Sequence, residues 1–175
     1  MGVTIGQKFE NWVSDKNNYT KLTTKGENSK FQFLDKNLSQ VPSAQKASIY
    51  QQGILNFAQS RIGLNDTDKN GSMNLKEYVS EQVRVYEKMY GQKLDMSNPQ
   101  IQELFKKHFG VTDMDKNGEI SSAELATTIA YMDMGQDGKL DGEISYKDAI
   151  GTNWLHKDMP KVLQNIKGFL FPENK

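Results

Sequence analysis

Two stretches of twelve residues gather oxygen-bearing side chains at alternate places around a glycine and close on a glutamate. They are DTDKNGSMNLKE, residues 66–77, and DMDKNGEISSAE, residues 113–124. In both, side-chain oxygens stand at the first, third, fifth and ninth places, glycine stands sixth and glutamate twelfth. A hard cation of calcium's size requires such a set: about six to eight oxygen ligands at about 2.3–2.6 Å, drawn from carboxylates, amides, a carbonyl and water. A glycine at the sixth place allows the sharp turn that folds the ligands inward. A glutamate in the first turn of a following helix reaches back with both oxygens and clamps the ion. Without a cation, three carboxylates in so short a loop repel one another.

Such loops need helices on both sides, and the flanking sequence supplies them. After Pro42 and its small polar neighbours, Tyr50, Ile54, Phe57, Ala58 and Ile62 recur at three- and four-residue steps, the period of an amphipathic helix of roughly 20 residues. A second helix is expected from Leu75 to Tyr90, through Val79, Val83 and Tyr86. Asn98 then Pro99 reads as a cap followed by the favoured first-turn proline, and Ile101, Leu104, Phe105, His108 and Phe109 form one stripe after it. Leu125, Ile129 and Met132 mark a shorter helix. The tail from Trp154 through Leu155, Met159, Val162, Leu163, Ile166, Phe169 and Leu170 is helical, with a break expected at Pro160. Near the start, Ile5, Phe9, Trp12 and Val13 suit a short helix, and residues 15–30 read as polar loop. Each stripe is read as core packing. No long β-sheet is expected, and the fold class is all-α.

With their flanking helices, both stretches resemble EF-hand calcium loops, a likeness that covers about residues 43–150. Carried over place by place, the resemblance implies ion ligands at Asp66, Asp68, Asn70, the Ser72 carbonyl and Glu77, with Asn74 direct or through water. In the second loop it implies Asp113, Asp115, Asn117, the Glu119 carbonyl, Ser121 through water, and Glu124. Ile120, at the eighth place, matches the apolar residue by which such loops pair in a short β contact. Met73 holds that place in the first loop.

A third region, DMGQDGKLDGEISYKDA, residues 133–149, repeats the Gly-Glu-Ile-Ser string of the second loop. Aligned on it, Asp137 is first, Asp141 fifth, Gly142 sixth, Glu143 seventh, Ile144 eighth, Ser145 ninth and Asp148 twelfth. Lys139 then stands third, which removes a ligand and adds a positive charge. Asp148 offers a shorter clamp than glutamate. A register from Asp133 puts Gly135 third and Ile144 twelfth, and is worse at the clamp. A third alternative is a loop expanded by about four residues, using Asp133 or Asp137 with Asp141 and Asp148. Candidate ligands here are Asp137, Asp141, Glu143 and Asp148, in an irregular or weaker site.

Spacing limits which loops pair. The first places of loops one and two are 113 − 66 = 47 residues apart, room for two helices and a linker. Those of loop two and region three are 137 − 113 = 24 apart, room for a single helix of about 11 residues that holds them ~16 Å apart. Loops one and two are therefore expected to pair, and region three to lie at the far end of a shared helix. Its expected partner is a degenerate segment near LDKNLSQVPSAQ, residues 34–45, which keeps Asp35 but lacks the glycine and the closing acid. The layout is one compact domain: an N-terminal helix and loop over 1–42, the EF-hand pair over 43–135, and the irregular third segment with C-terminal helices over 136–175.

The 175-residue chain suffices for a proper core. Acidic and basic residues balance at 22 each, so no overall field points to nucleic acid or an anionic membrane, and local carboxylate clusters have a local cause. The absence of cysteine removes disulfides, thiolate nucleophiles and thiolate metal sites, and fits a reducing compartment. No run of about 18 apolar residues suggests a spanning helix, and no charged start leads into an apolar stretch. A cytoplasmic location is expected, although a leader cleaved earlier would leave no trace. Met1-Gly2 does not make a myristoylation signal, because Gly6 stands where Ser or Thr is wanted.

His108 and His156 stand alone, and no Ser/His/Asp motif, phosphate loop or zinc spacing is present, so catalysis is not expected. Two functions compete. The first is a soluble calcium buffer or signal modulator, similar in size and multi-hand layout to the sarcoplasmic-type calcium-binding proteins, its apolar tail filling the groove between hands. The second is a sensor in which calcium exposes Met89, Met132, Met134 and nearby aromatics to a protein partner.

Overall fold

A computed structural model of the chain describes residues 4–15, 30–135, 138–145, 148–149 and 156–172. It is mostly helical: α1 (Ile5–Ser14), α2 (Ser43–Asn65), α3 (Leu75–Tyr90), α4 (Pro99–Thr112), α5 (Ser122–Met134) and α6 (Met159–Leu170). Two three-residue strands, β1 (Lys30–Gln32) and β2 (Glu143–Ser145), are the exception. Local signals account for most helix ends. The Thr4 hydroxyl caps α1 by accepting from Gln7 N–H at 3.1 Å. Asn98 caps α4 by accepting from Gln100 N–H at 2.9 Å, with Pro99 in the first turn where its missing N–H costs nothing. Gly91 ends α3 in the left-handed conformation at φ 65°. Pro160 is no break inside a helix: it lies in the first turn of α6, the position a proline tolerates best. Trp154 and Leu155 lie outside the described residues.

α5 is the central post. Leu125, Ala126, Ile129, Ala130 and Met132 are buried, and so are Thr127, Thr128 and Asp133, because α2, α4, α6 and β2 pack around it. The two threonines meet burial by donating to carbonyls of the preceding turn, Thr127 to Ala123 at 2.7 Å and Thr128 to Leu125 at 2.9 Å. α2 packs on α5 and α1 and buries the five residues its period singled out, Tyr50, Ile54, Phe57, Ala58 and Ile62. Full burial of each such large apolar side chain contributes about 1.5–3 kcal/mol. Phe9, Phe31, Phe33 and Phe57 form an aromatic knot at that end, with centroids 5.3–5.5 Å apart in the contacts that join them.

α3 turns a different face to the core than its valines suggest. Val79 and Val83 are half-buried and Tyr86 and Tyr90 exposed, whereas Tyr78, Glu81 and Met89 are buried. The cause is a polar network. Arg61 of α2 donates to both oxygens of Glu81, at 2.7 and 3.2 Å, and stacks over Phe9 at 5.2 Å and Phe57 at 5.9 Å. Asn65 donates to Glu81 at 3.0 Å and accepts from Arg84, which also holds the buried Glu10 of α1. The stripe of α4 is likewise only half used: Phe105 and Phe109 are buried, and Leu104 is exposed.

β1 and β2 are antiparallel, with Phe31 opposite Ile144. Region three therefore pairs with residues 30–32 and not with 34–45, which hold a short 3-10 turn (Leu38–Gln40) and the start of α2. Leu34, two residues past β1, wedges between Gly53 and Gly142. Gly142 has φ 87°, and a Cβ there would collide with Leu34 Cδ1; Gly71 has φ 86° and open space around it. Gly71→Ala is expected to cost about 1–2 kcal/mol from backbone strain alone. Gly142→Ala should cost about 1–3 kcal/mol more, through overpacking. Urea denaturation in chelator checks this, and equal losses would contradict the wedge.

Candidate metal centre

Loop one spans the end of α2 to the first turn of α3, and loop two the end of α4 to the first turn of α5. Each folds around its own backbone amides. Asp66 Oδ2 accepts from Gly71 N–H at 2.8 Å and Oδ1 from Asn70 N–H at 3.0 Å. In loop two, Asp113 accepts from Gly118 at 2.9 Å and Asn117 at 3.2 Å. The fifth-place amides then accept from the seventh-place N–H, Asn70 from Ser72 and Asn117 from Glu119, both at 2.9 Å. Gly71 and Gly118 sit at φ 86° and 87°, and the fourth-place lysines, Lys69 and Lys116, both take left-handed backbone at φ 60° and 59°. Nothing in a lysine announces that conformation; two loops adopting it together means the turn imposes it.

The closing glutamates do double duty. Glu77 and Asn74 form a reciprocal cap at the start of α3, with Asn74 Oδ1 accepting from Glu77 N–H at 2.9 Å and Glu77 Oε2 from Asn74 N–H at 3.0 Å. Ser121 and Glu124 do the same for α5 at 3.2 and 3.0 Å. The cap turns each glutamate back over its loop, where Glu77 accepts from Thr67 and Asp68 N–H and Glu124 from Asp115 N–H. Asn74 Oδ1 and Ser121 Oγ are thereby engaged by the helix N–H groups.

Two trios result: Asp66, Asp68 and Glu77, and Asp113, Asp115 and Glu124, each offering three carboxylate oxygens within 4.8 Å of one another. Oxygens bound to one ion at about 2.3–2.6 Å lie no more than about 5 Å apart, so either trio fits a single cation. In loop one the electrostatics favour one as well. The Gly71 N–H, with Asn70 adding, holds Asp66 below the ordinary carboxylate range. Desolvation pushes Glu77 up, but hydrogen bonds from Thr67, Asn74 and Asp68 outweigh it and leave the group lowered. Asp68 is raised, by desolvation first and then by contact with Asp66 and the charge of Glu77. A cation between them would relieve that repulsion.

The loops lie back to back. Met73 and Ile120, both fully buried, exchange backbone hydrogen bonds at 3.0 and 2.7 Å. Glu119 adds a link invisible in the sequence: its carboxylate accepts from Ser72 Oγ at 2.9 Å and Asn70 Nδ2 at 3.3 Å, across to the other loop.

Region three repeats the second half of this architecture. Glu143 N–H donates to Asp141 at 3.0 Å, as the seventh place does to the fifth in loops one and two. Ser145 and Asp148 exchange the reciprocal cap bonds at 2.9 and 3.2 Å. The Gly142 N–H, however, donates at 3.0 Å to Asp133, in the last turn of α5. Asp133 also accepts from the buried Tyr50 hydroxyl at 2.6 Å. Burial pushes the Asp133 carboxyl up to about 8, and the neighbouring Asp141 carboxyl adds to the rise. Asp137 lies outside the described residues, Lys139 is exposed, and the Glu143 carboxylate faces Lys30 at 3.4 Å. Among the described residues no trio as tight as those of loops one and two forms here.

Among the described residues no helix is long and apolar enough to cross a membrane. Comparison with protein-family models, curated proteins and solved structures finds no match to this chain.

Proposed function

We propose that the chain binds calcium through two EF-hand loops and acts as a buffer or signal modulator. The observation that carries this reading is the convergence of Asp66, Asp68 and Glu77, and of Asp113, Asp115 and Glu124, in loops with one hydrogen-bond plan. Asn70 and Asn117 add a fifth-place amide oxygen to each set, with the Ser72 and Glu119 carbonyls and water completing it. The bound ion would neutralise each acidic trio and fix the angle between the helices that flank it. The residues gathered in the loops are ligands of a hard ion, which makes the role a binding one rather than a catalytic one. Calorimetric titration of metal-free protein with calcium, repeated in millimolar magnesium, tests the reading. Saturable uptake of at least two equivalents supports it, and no uptake overturns it.

The tail favours the buffer. α6 packs along α5 and buries Met159, Leu163, Ile166 and Leu170, and the Phe169 carbonyl accepts from Gln51 at 2.8 Å. An internal helix thus covers apolar surface that a sensor would keep for its target. Leu163→Asp is expected to detach α6, destabilising the protein by more than the about 2–5 kcal/mol of a Leu-to-Ala truncation and raising binding of an apolar dye by the calcium-loaded form. Unchanged dye binding would remove the support the tail lends.

One observation favours the sensor instead. A cavity of about 320 Å³ runs between α3, α4 and α5, lined in part by Met89, Phe105 and Met132, with Tyr86, Tyr90 and Leu104 exposed at its rim. Calcium-dependent capture of an amphipathic helical peptide at this groove would favour that reading.

A further inference from the structure

In loops one and two the sixth-place glycine N–H donates to the first-place aspartate, Gly71 to Asp66 and Gly118 to Asp113. In region three the corresponding Gly142 N–H donates to Asp133, nine residues earlier instead of five. By this criterion Asp133 holds the first place of a loop expanded by four residues, running from 133 to 148. The later places keep their bonds: Asp141 accepts from the seventh-place N–H, and Asp148 closes the loop in a reciprocal cap with Ser145.

Two features of this loop point to a ligand. Asp133 is 4% exposed, and both of its described donors, Tyr50 Oη and Gly142 N–H, go to Oδ2. Oδ1 is buried with no hydrogen-bond partner, and an unsatisfied buried carboxylate oxygen is costly unless something positive reaches it. The neighbouring Asp141 carboxyl brings a second set of acceptors and no donor beyond a proton. Separately, Gly135 leaves room for the closing acid: a Cβ at that position would stand 2.7 Å from Asp148 Oδ1. The clamp of region three is thereby held against the turn that carries Asp133.

We infer that Asp133, Asp141 and Asp148 bind a third divalent cation, with Asp133 Oδ1 as the buried anchor supplied by helix α5. Asp141 contributes from the exposed side, and Asp148 reaches the ion through a water, because the three carboxylates do not all close to within 4.8 Å of one another as those of loops one and two do. Lys139, third in the regular twelve-residue register, drops out of the ligand set because the loop no longer starts at Asp137. The inference extends the two-loop reading to a site that reading does not need. Tyr50, bonded to the anchor, ties the third ion to α2, which also leads into loop one.

The test is a calorimetric calcium titration of wild type, Asp133→Asn, Asp141→Asn and the Glu77→Gln/Glu124→Gln double variant. Asparagine at 133 keeps acceptors for Tyr50 and Gly142 and can donate to Asp141, so the fold should hold. Asp141 is exposed, and its variant serves if Asp133→Asn does not fold. Three equivalents in wild type, two in each aspartate variant and one left in the double variant are expected, the last accompanied by a tyrosine absorbance change that Tyr50→Phe removes. Two equivalents in wild type, unchanged by Asp133→Asn and Asp141→Asn, would overturn the third site and leave loops one and two intact. Three equivalents persisting in both aspartate variants would also overturn it. A single equivalent in wild type, lost in both aspartate variants, would uphold the third site and sink the two-loop reading.

Discussion

Glu77→Gln and Glu124→Gln are each expected to weaken calcium binding at their own loop by about two orders of magnitude or more, the scale on which ligand charge moves affinity in such loops. Each removes one anionic clamp from a trio of three carboxylates. An amide keeps the side chain's length and one acceptor oxygen, so the cap to Asn74 or Ser121 survives and the helices still start where they do. A loss of affinity is then a loss of ligand charge and not of fold, which far-ultraviolet circular dichroism of both variants would confirm. The partner loop should weaken too, by about 5-fold or more, the lower end of ordinary site-to-site coupling. The bridge between Met73 and Ile120 and the Glu119 carboxylate bonded to Ser72 and Asn70 give the two loops a shared backbone and a shared side chain. Calorimetry resolves the two steps. A variant that loses its own site while the other keeps wild-type affinity would contradict the coupling, and one that keeps both would contradict the clamp.

A large stability loss should also come from a polar pair outside the loops. Glu81→Ala is expected to cost about 3–5 kcal/mol, because it leaves the Arg61 guanidinium buried without its counter-charge. Arg61 and Glu81 are 6% and 1% exposed and bonded through two oxygens at 2.7 and 3.2 Å. Asn65 loses a partner as well, its amide donating to Glu81 at 3.0 Å. Replacing both ions, in Arg61→Met/Glu81→Leu, should restore most of the loss, since a well-packed apolar pair often equals a buried ion pair. Urea denaturation at saturating calcium, followed by a double-mutant cycle, separates the pair from its surroundings. Equal losses in the single and double variants would mean the network acts through packing of Arg61 on Phe9 and Phe57 and not through charge.

Much of the architecture was legible because it is written at fixed local spacings. The bounds of α3 and the start of α4 follow from residues within one turn of each end: Asn74, Gly91, Asn98 and Pro99. The apolar period of α2 named the five apolar residues it buries. The loop spacing brought out both acidic trios, and counting residues between loops was enough to separate region three from loop two, whose Ile120 meets Met73 while Ile144 meets Phe31. The face of α3 was misread for a reason equally physical. Its valines make an apolar stripe, but the buried face runs through Glu81, which looks like a solvent residue until Arg61 is brought beside it.

The sequence by itself determined where α3 and α4 begin, which oxygens loops one and two gather and which loops are too close in the chain to meet, since all of these depend on side chains a few residues apart. Only the tertiary structure decided that region three pairs with residues 30–32, that Glu119 reaches across to loop one, and that the Gly142 N–H turns to Asp133. Each of these rests on partners far apart along the chain: Tyr50 and Asp133 are 83 positions apart, and Ser72 and Glu119 are 47. No local preference encodes such a meeting. It follows from the way α2 and α5 pack, which buries an aspartate at the end of a helix and obliges a hydroxyl, an amide and, by our inference, an ion to satisfy it.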